Sequence, residues 1–176
     1  MTVTVVDTNV ILVANDAHAD VSPECVIECV NRLQQLMRTG VIAIDDAYRI
    51  LGEYQHKTNP RRGRGVGDVF LKWVLRNQDD PKWVHQVTLT EVSADRFAEF
   101  PVPALEKVFD RPDRKFAAVA HAHPSRPAIW QAADCKWLDW WLDLKTAGIE
   151  VRFLCEDDIC RFYKKKFPKK PVPKRP

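Results

Sequence analysis

Val3-Thr4-Val5-Val6-Asp7-Thr8-Asn9 is the stretch on which the reading of this chain turns. Three of its first four residues are valines and the fourth is threonine. Branching at Cβ favours a buried strand, and the strand ends by delivering an acid, Asp7, at its carboxyl end. Met1 to Leu12 is apolar but short. It lacks a basic leader and a small-residue cleavage site, so it reads as this first strand and not as a signal peptide. Outward from it, further strands are predicted over 41–44, 83–89, 128–132 and 150–154. Between them lie predicted helices. The first starts at Ser22-Pro23-Glu24, a capping Ser, a first-turn Pro and an acid, and runs to about Met37. Others cover 47–56 (capped by Asp45 or Asp46), 67–77, 112–123, 136–146 and 156–163. Residues 93–108 are predicted as two short helices around Pro101 and Pro103. Strands alternating with helices give an α/β fold, a three-layer α/β/α sandwich around a mostly parallel sheet. In such sheets sites lie beyond the carboxyl ends of strands. Asp7 and Asp134 both fall there.

The chain of 176 residues is 45% hydrophobic and 29% charged, which suits one globular domain over 1–163. No apolar run approaches the roughly 18 residues of a membrane span. Five cysteines, at 25, 29, 135, 155 and 160, form no CxxC pair. They are expected to be reduced, mostly buried thiols of a cytoplasmic protein, with zinc ligation by Cys155 and Cys160 as the alternative. Net charge is +3, unevenly spread. Residues 164–176 hold seven Lys and Arg and no acid, so the remainder has 20 basic against 24 acidic side chains. This basic, Pro-rich tail is predicted to be disordered. A second basic group, Lys57, Arg61, Arg62 and Arg64, falls in the loop Asn59-Pro60-Arg61-Arg62-Gly63-Arg64-Gly65.

Four acids stand out. Asp7 ends an apolar strand, which is costly unless the carboxylate is hydrated or paired; capping of the next segment is its simpler explanation. Asp134 repeats that pattern. Asp113 lies in the first turn of a helix, where a carboxylate is ordinary dipole chemistry. Glu53 shares a helix with Ile50, Leu51 and Tyr54, and by itself would read as a solvated glutamate. The combination is what matters. Converging carboxylates raise one another's pKa, and a divalent cation relieves the repulsion. Hard oxygen ligands suit Mg²⁺ or Mn²⁺, one ion or two, which would activate water and neutralise a phosphodiester.

Val5-Val6-Asp7-Thr8-Asn9-Val10 resembles the opening strand of the PIN-domain nucleases. Ala47–Tyr54, AYRILGEY, resembles the element that supplies a metal-site Glu, matched by Glu53. Phe109-Asp110-Arg111-Pro112-Asp113-Arg114-Lys115-Phe116-Ala117-Ala118-Val119-Ala120 is the strongest match, with Asp113 in the metal-binding place. Ala133-Asp134-Cys135-Lys136-Trp137-Leu138 resembles the last motif, and Gly148–Leu154 the closing strand. The four motifs occur in order over about residues 3–160. The resemblance implies a divalent metal held by Asp7, Glu53, Asp113 and Asp134, and endonuclease activity on single-stranded RNA, or DNA. It also implies a protein partner such as an antitoxin, and a homodimer. Residues 57–105 are longer than in the compact toxins of the family. Asp110 is a reserve ligand, and Asp139 competes with Asp134 for the last place. Thr8 and Asn9 are candidates to steady Asp7 or a metal-bound water. Arg61, Arg62 and Arg64, with Arg114 and Lys115, are candidates to grip phosphate.

Rival readings are weaker. A haloacid-dehalogenase-like phosphatase needs a second Asp two places after the first, and Asn9 stands there. A receiver domain wants adjacent acids after the first strand, whereas Asp45-Asp46 follows the second. No GxxxxGK[ST] loop is present. The rival of a different class is a PIN-like module that binds without cleaving. His121 and His123 read as structural, and Trp137, Trp140 and Trp141 as packing.

Overall fold

β-branched runs and apolar helical faces assemble here into a parallel sheet covered by helices. The computed structural model describes residues 1–59 and 65–176, so Arg61, Arg62 and Arg64 lie outside the described residues. The strands of the sheet are β1 (Val3–Val6), β2 (Val41–Asp45), β3 (Val84–Val87), β6 (Ala128–Gln131) and β7 (Val151–Phe153). Their order is β3-β2-β1-β6-β7, and every neighbouring pair is parallel. Six described helices connect them, α1 (Thr8–Ala14), α2 (Pro23–Thr39), α3 (Arg49–Lys57), α4 (Val66–Asn77), α6 (Arg114–Ala122) and α7 (Trp137–Thr146), and α8 (Glu156–Lys166) follows β7. A short hairpin, β4 (Glu91–Ser93) with β5 (Arg96–Phe97), and the single-turn α5 (Pro103–Glu106) lie between β3 and α6. The α/β three-layer expectation holds. No described helix is long and apolar enough to cross a membrane.

Burial follows the parallel-sheet rule that central strands are covered on both faces. Val5 and Val6 of β1, and Ile42, Ala43 and Ile44 of β2, are fully buried. α6 lies across β1, β2 and β6, while α1, α2 and α4 pack on one another. The α1–α4 approach is close enough to demand a glycine: a Cβ on Gly67 would sit 2.3 Å from the Ile11 carbonyl oxygen.

Five expectations need correction. The strand is Val3–Val6 as the sequence placed it, but the apolar stretch that continues to Leu12 is not part of it: residues 8–14 are helical, because Asp7 caps α1 by accepting from the Asn9 backbone N–H. α3 begins at Arg49 and not at Ala47, because Tyr48 is held in the left-handed region at φ 58°. Asp45 does cap that helix, accepting from the Arg49 and Ile50 backbones at 2.9 Å each. Residues 93–108 are the hairpin and one short helical turn, not two helices. α8 runs to Lys166, past the boundary at 163, and the segment after it is not detached. Phe167 and Val172 pack on the core, the Trp141 indole N–H donates to the Lys174 carbonyl at 2.9 Å, and Arg175 meets Glu156 at 3.0 Å. The cysteines are not all reduced: Cys25 of α2 is disulfide-bonded to Cys155, which precedes α8, while Cys29, Cys135 and Cys160 are free. Spacing along the chain could not show that these two meet, since 130 residues separate them.

Candidate functional site

β1 and β6 lie side by side at the centre of the sheet, and the chain leaves them towards opposite edges. That reversal opens a crevice at the carboxyl ends of the two strands, the usual ligand position in open α/β sheets. Asp7 follows β1, and its backbone N–H donates to Trp130 of β6 at 3.0 Å. Oδ1 of Asp7 accepts from the Asn9 backbone at 2.9 Å and from the Asn9 side chain at 2.6 Å. Oδ2 is buried and has no hydrogen-bond partner among the described residues. Asp7 therefore caps α1 with one oxygen and leaves the other without a partner among the described residues.

Asp134 lies beyond β6 and accepts from the Lys136 backbone at 3.1 Å. Asp110 and Asp113 flank a single 3₁₀ turn, Arg111–Asp113, which leads into α6. Asp113 makes no capping bond to α6, so helix-end chemistry does not account for it. One carboxylate oxygen from each of Asp110, Asp113 and Asp134 lies within 4.8 Å of the others. Burial, then the charges of Asp7, Asp134, Asp110 and Glu53, push the Asp113 carboxyl up to about 9. Asp7 is pushed up to about 7, chiefly by burial, with the Asn9 N–H pulling the other way and Asp134 and Glu53 adding to the rise. Asp134 is raised by burial too, against the Lys136 N–H and the charges of Lys166 and Lys136.

Two lysines divide the acids into two kinds. Lys115 Nζ bonds Glu53 and the Pro112 carbonyl, and the Thr8 hydroxyl donates to the other Glu53 oxygen. Glu53 is thus a pinned, half-buried carboxylate, not a solvated one. Its helix is tied to the sheet by the Tyr54 hydroxyl, which donates to the Val6 carbonyl. Lys136 pairs with Asp110. Asp7, Asp113 and Asp134 have no ion-pair partner among the described residues. The nearby lysines offset only part of this crowding, and a bound cation would favour the charged forms. The donor set is all oxygen, and Asp7 contributes a buried, unpartnered one; the residues fit a hard divalent ion.

Asn9 organises this end of the sheet. Its amide N–H donates to Asp7 and to Gln131, and its oxygen accepts from the Ala132 and Ala133 backbones at 2.8 and 3.1 Å. Gln131, fully buried at the end of β6, was not visible as a site residue; a polar residue closing a short strand carries no signal of its own. Lys136 and Lys166 were missed too, because their acids come from distant segments. Asp139 lies apart from the cluster and accepts from the Tyr163 hydroxyl at 2.7 Å, so Asp134 takes the last place. Arg114 is buried and donates to the Phe109 carbonyl at 3.2 Å, and Lys115 is spent on Glu53. Neither offers its charge to a ligand, which corrects the phosphate-gripping expectation for both.

A cavity of about 480 Å³ opens over the site, lined by Asp7, Thr8, Glu53 and Asp134 with His18, Lys57, Phe162 and Lys166. A larger one, of about 680 Å³, lies against β3 and His123, away from every acid of the cluster. Comparison of the chain with protein-family models, curated proteins and solved structures finds no match.

Proposed function

We propose that the protein is a divalent-metal-dependent endonuclease, PIN-like in its motifs, that hydrolyses phosphodiester bonds in single-stranded nucleic acid, RNA foremost. The observation that carries this is the close set Asp110, Asp113 and Asp134, one oxygen of each within 4.8 Å of the others, at the β1–β6 crevice that also holds the buried, half-partnered Asp7. That set, with Asp7 and Glu53 beside it, would hold Mg²⁺ or Mn²⁺. A cation bound there would stabilise the charge that develops on a phosphodiester and lower the pKa of an attacking water. The chain's own residues do the positioning. Asn9 fixes the Asp7 carboxylate, Lys115 and Thr8 hold both oxygens of Glu53, and Lys57 and Lys166 place positive charge on the cavity wall, where a phosphate would enter. Asn9 spends its amide on four internal bonds and has none left for acid/base work, which further weakens the phosphatase alternative.

The test is cleavage of single-stranded RNA with Mg²⁺, with Mn²⁺ and with EDTA. Asp113→Asn and Asp7→Asn are expected to lose about 100-fold or more in rate, the scale of removing one electrostatic contributor to a transition state. Wild-type rates in both variants would overturn the assignment. Metal binding by the wild type without cleavage of any single strand would leave the non-cleaving module as the better reading.

A further inference from the structure

Apart from these acids, a second cluster has a different chemistry. Cys25 and Cys29 stand one helical turn apart on the buried face of α2, and Cys155 comes up to them from the end of β7. The three Sγ atoms lie within 4.8 Å of one another, and Cys29 Sγ is 3.9 Å from Cys155 Sγ. Thiolates on a tetrahedral zinc, at about 2.3 Å each, are separated by roughly 3.8 Å. Cys29 thus already stands at ligand spacing from Cys155, while Cys25 and Cys155 are joined to each other. A cavity of about 310 Å³ adjoins the pair, and five acids line it: Glu24, Glu28, Glu156, Asp157 and Asp158. Four of these acids are paired with arginines, Glu28 with Arg32, Asp158 with Arg161, and Glu156 and Asp157 with Arg175, while Glu24 is in no ion pair among the described residues; the cavity is an antechamber with two of the sulfurs in its wall.

We propose that Cys25, Cys29 and Cys155 form a zinc site that opens when the Cys25–Cys155 disulfide is reduced. A dithiol reductant delivers two electrons, its own sulfurs closing into a disulfide as Cys25 and Cys155 become thiols. Zinc then displaces the three thiol protons, and a carboxylate of the antechamber or a water completes four-coordination. A small-molecule disulfide reverses the sequence: it takes up the two electrons and two protons as its own S–S bond opens to two thiols, the Cys25–Cys155 bond closes, zinc leaves, and Cys29 regains its proton. Sulfur ligands select zinc over Mg²⁺ or Mn²⁺, so the two clusters sort their ions by chemistry. The site does not depend on the nuclease reading.

The test uses the full chain, oxidised or treated with a dithiol that is then removed, and titrated with Co²⁺ and Zn²⁺. Thiolate-to-cobalt charge-transfer absorption reports sulfur ligation and is absent for carboxylates. Reduced wild type is expected to take one equivalent with this absorption, and Zn²⁺ to displace it. The oxidised chain should show none. Cys29→Ser leaves the disulfide pair intact and should lose the absorption, while Cys160→Ser and Asp113→Asn should keep it. Far-UV circular dichroism of each variant checks that the fold persists. A reduced wild type without the charge-transfer absorption would overturn the site, as would a Cys29→Ser variant that keeps it. Loss of cobalt binding in Asp113→Asn alone would place the ion at the acids and likewise end the proposal.

Discussion

Asp113 is pushed up to about 9, further than Asp7 at about 7, and that makes it a reporter of crowding. An unfolded chain releases this proton near pH 4. Between about 4 and about 9 the native state keeps a proton that the unfolded state has lost, so native stability falls as pH rises through that window. Asp7 adds to the fall up to about pH 7. Urea melts in EDTA at about pH 5, 7 and 9 should therefore show a declining midpoint. Asp113→Asn should flatten the decline, and Mn²⁺ should cancel it in the wild type only; parallel profiles for the two proteins would refute the crowding. Asn9→Ala belongs to the same scale. It breaks the link from Asp7 to β6 and should cost about 1–3 kcal/mol, since buried groups are left unpaired. A denaturation midpoint equal to wild type would show the network to be dispensable. Asp7 and Asp134 were legible because each ends an apolar strand. Asp110 was legible only as a reserve. That Glu53 and Asp110 carry lysine partners while the other three do not was not legible, because Lys115 lies 62 residues from Glu53 in the chain.

Among the elements, α1 shows why a strongly apolar sequence misleads. Val10-Ile11-Leu12-Val13 has neither alternation nor a polar face, because the helix is packed between α2, α3 and α4. Its start signal was Asp7, the same residue that ends the strand. The β4–β5 hairpin lacks an Asn-Gly or Asp-Gly turn; its turn uses Asp95 at φ 56°, which propensity does not flag. α8 was cut short because Lys164–Lys166 reads as a charged tail. The better signal was the dipole pattern, with Glu156, Asp157 and Asp158 in the first turn and the three lysines in the last. The helix packing yields a sharp test at Gly67. A methyl group there meets the Ile11 backbone oxygen at 2.3 Å, besides the Asn15 side chain at 2.8 Å, and the backbone contact can be relieved only if α1 and α4 separate. Gly67→Ala should destabilise by about 1–3 kcal/mol, the cost of overpacking. Gly52→Ala, with open space around it, should be neutral or slightly stabilising on the same helix-propensity grounds that favour Ala. Equal melting temperatures for the two variants would mean the α1–α4 contact yields easily.

The molecule as a whole sets an acidic body against a basic end. Deleting residues 167–176 removes Lys169, Lys170, Lys174 and Arg175. It also removes the Trp141 acceptor and the Phe167 and Val172 packing, so the melting temperature should fall. If two or three of those charges meet phosphates, the log–log salt dependence of single-strand RNA binding should flatten by about 1.4 to 2.1. Ca²⁺ in place of Mg²⁺ would suppress cleavage during the titration. Identical slopes for full-length and shortened proteins would confine the tail to a packing role. The central crevice has a consequence of its own for biosynthesis. Asn9 reaches Gln131 across 122 residues of chain, and Asp134 arrives later still. A nascent chain carrying Asp7, Glu53 and Asp113 has its acids but no β6 to gather them against. Such long-range parallel pairing is slow to form. On the proposed reading, the site would stay incomplete, and the nascent chain inert, until β6 and Asp134 have left the ribosome.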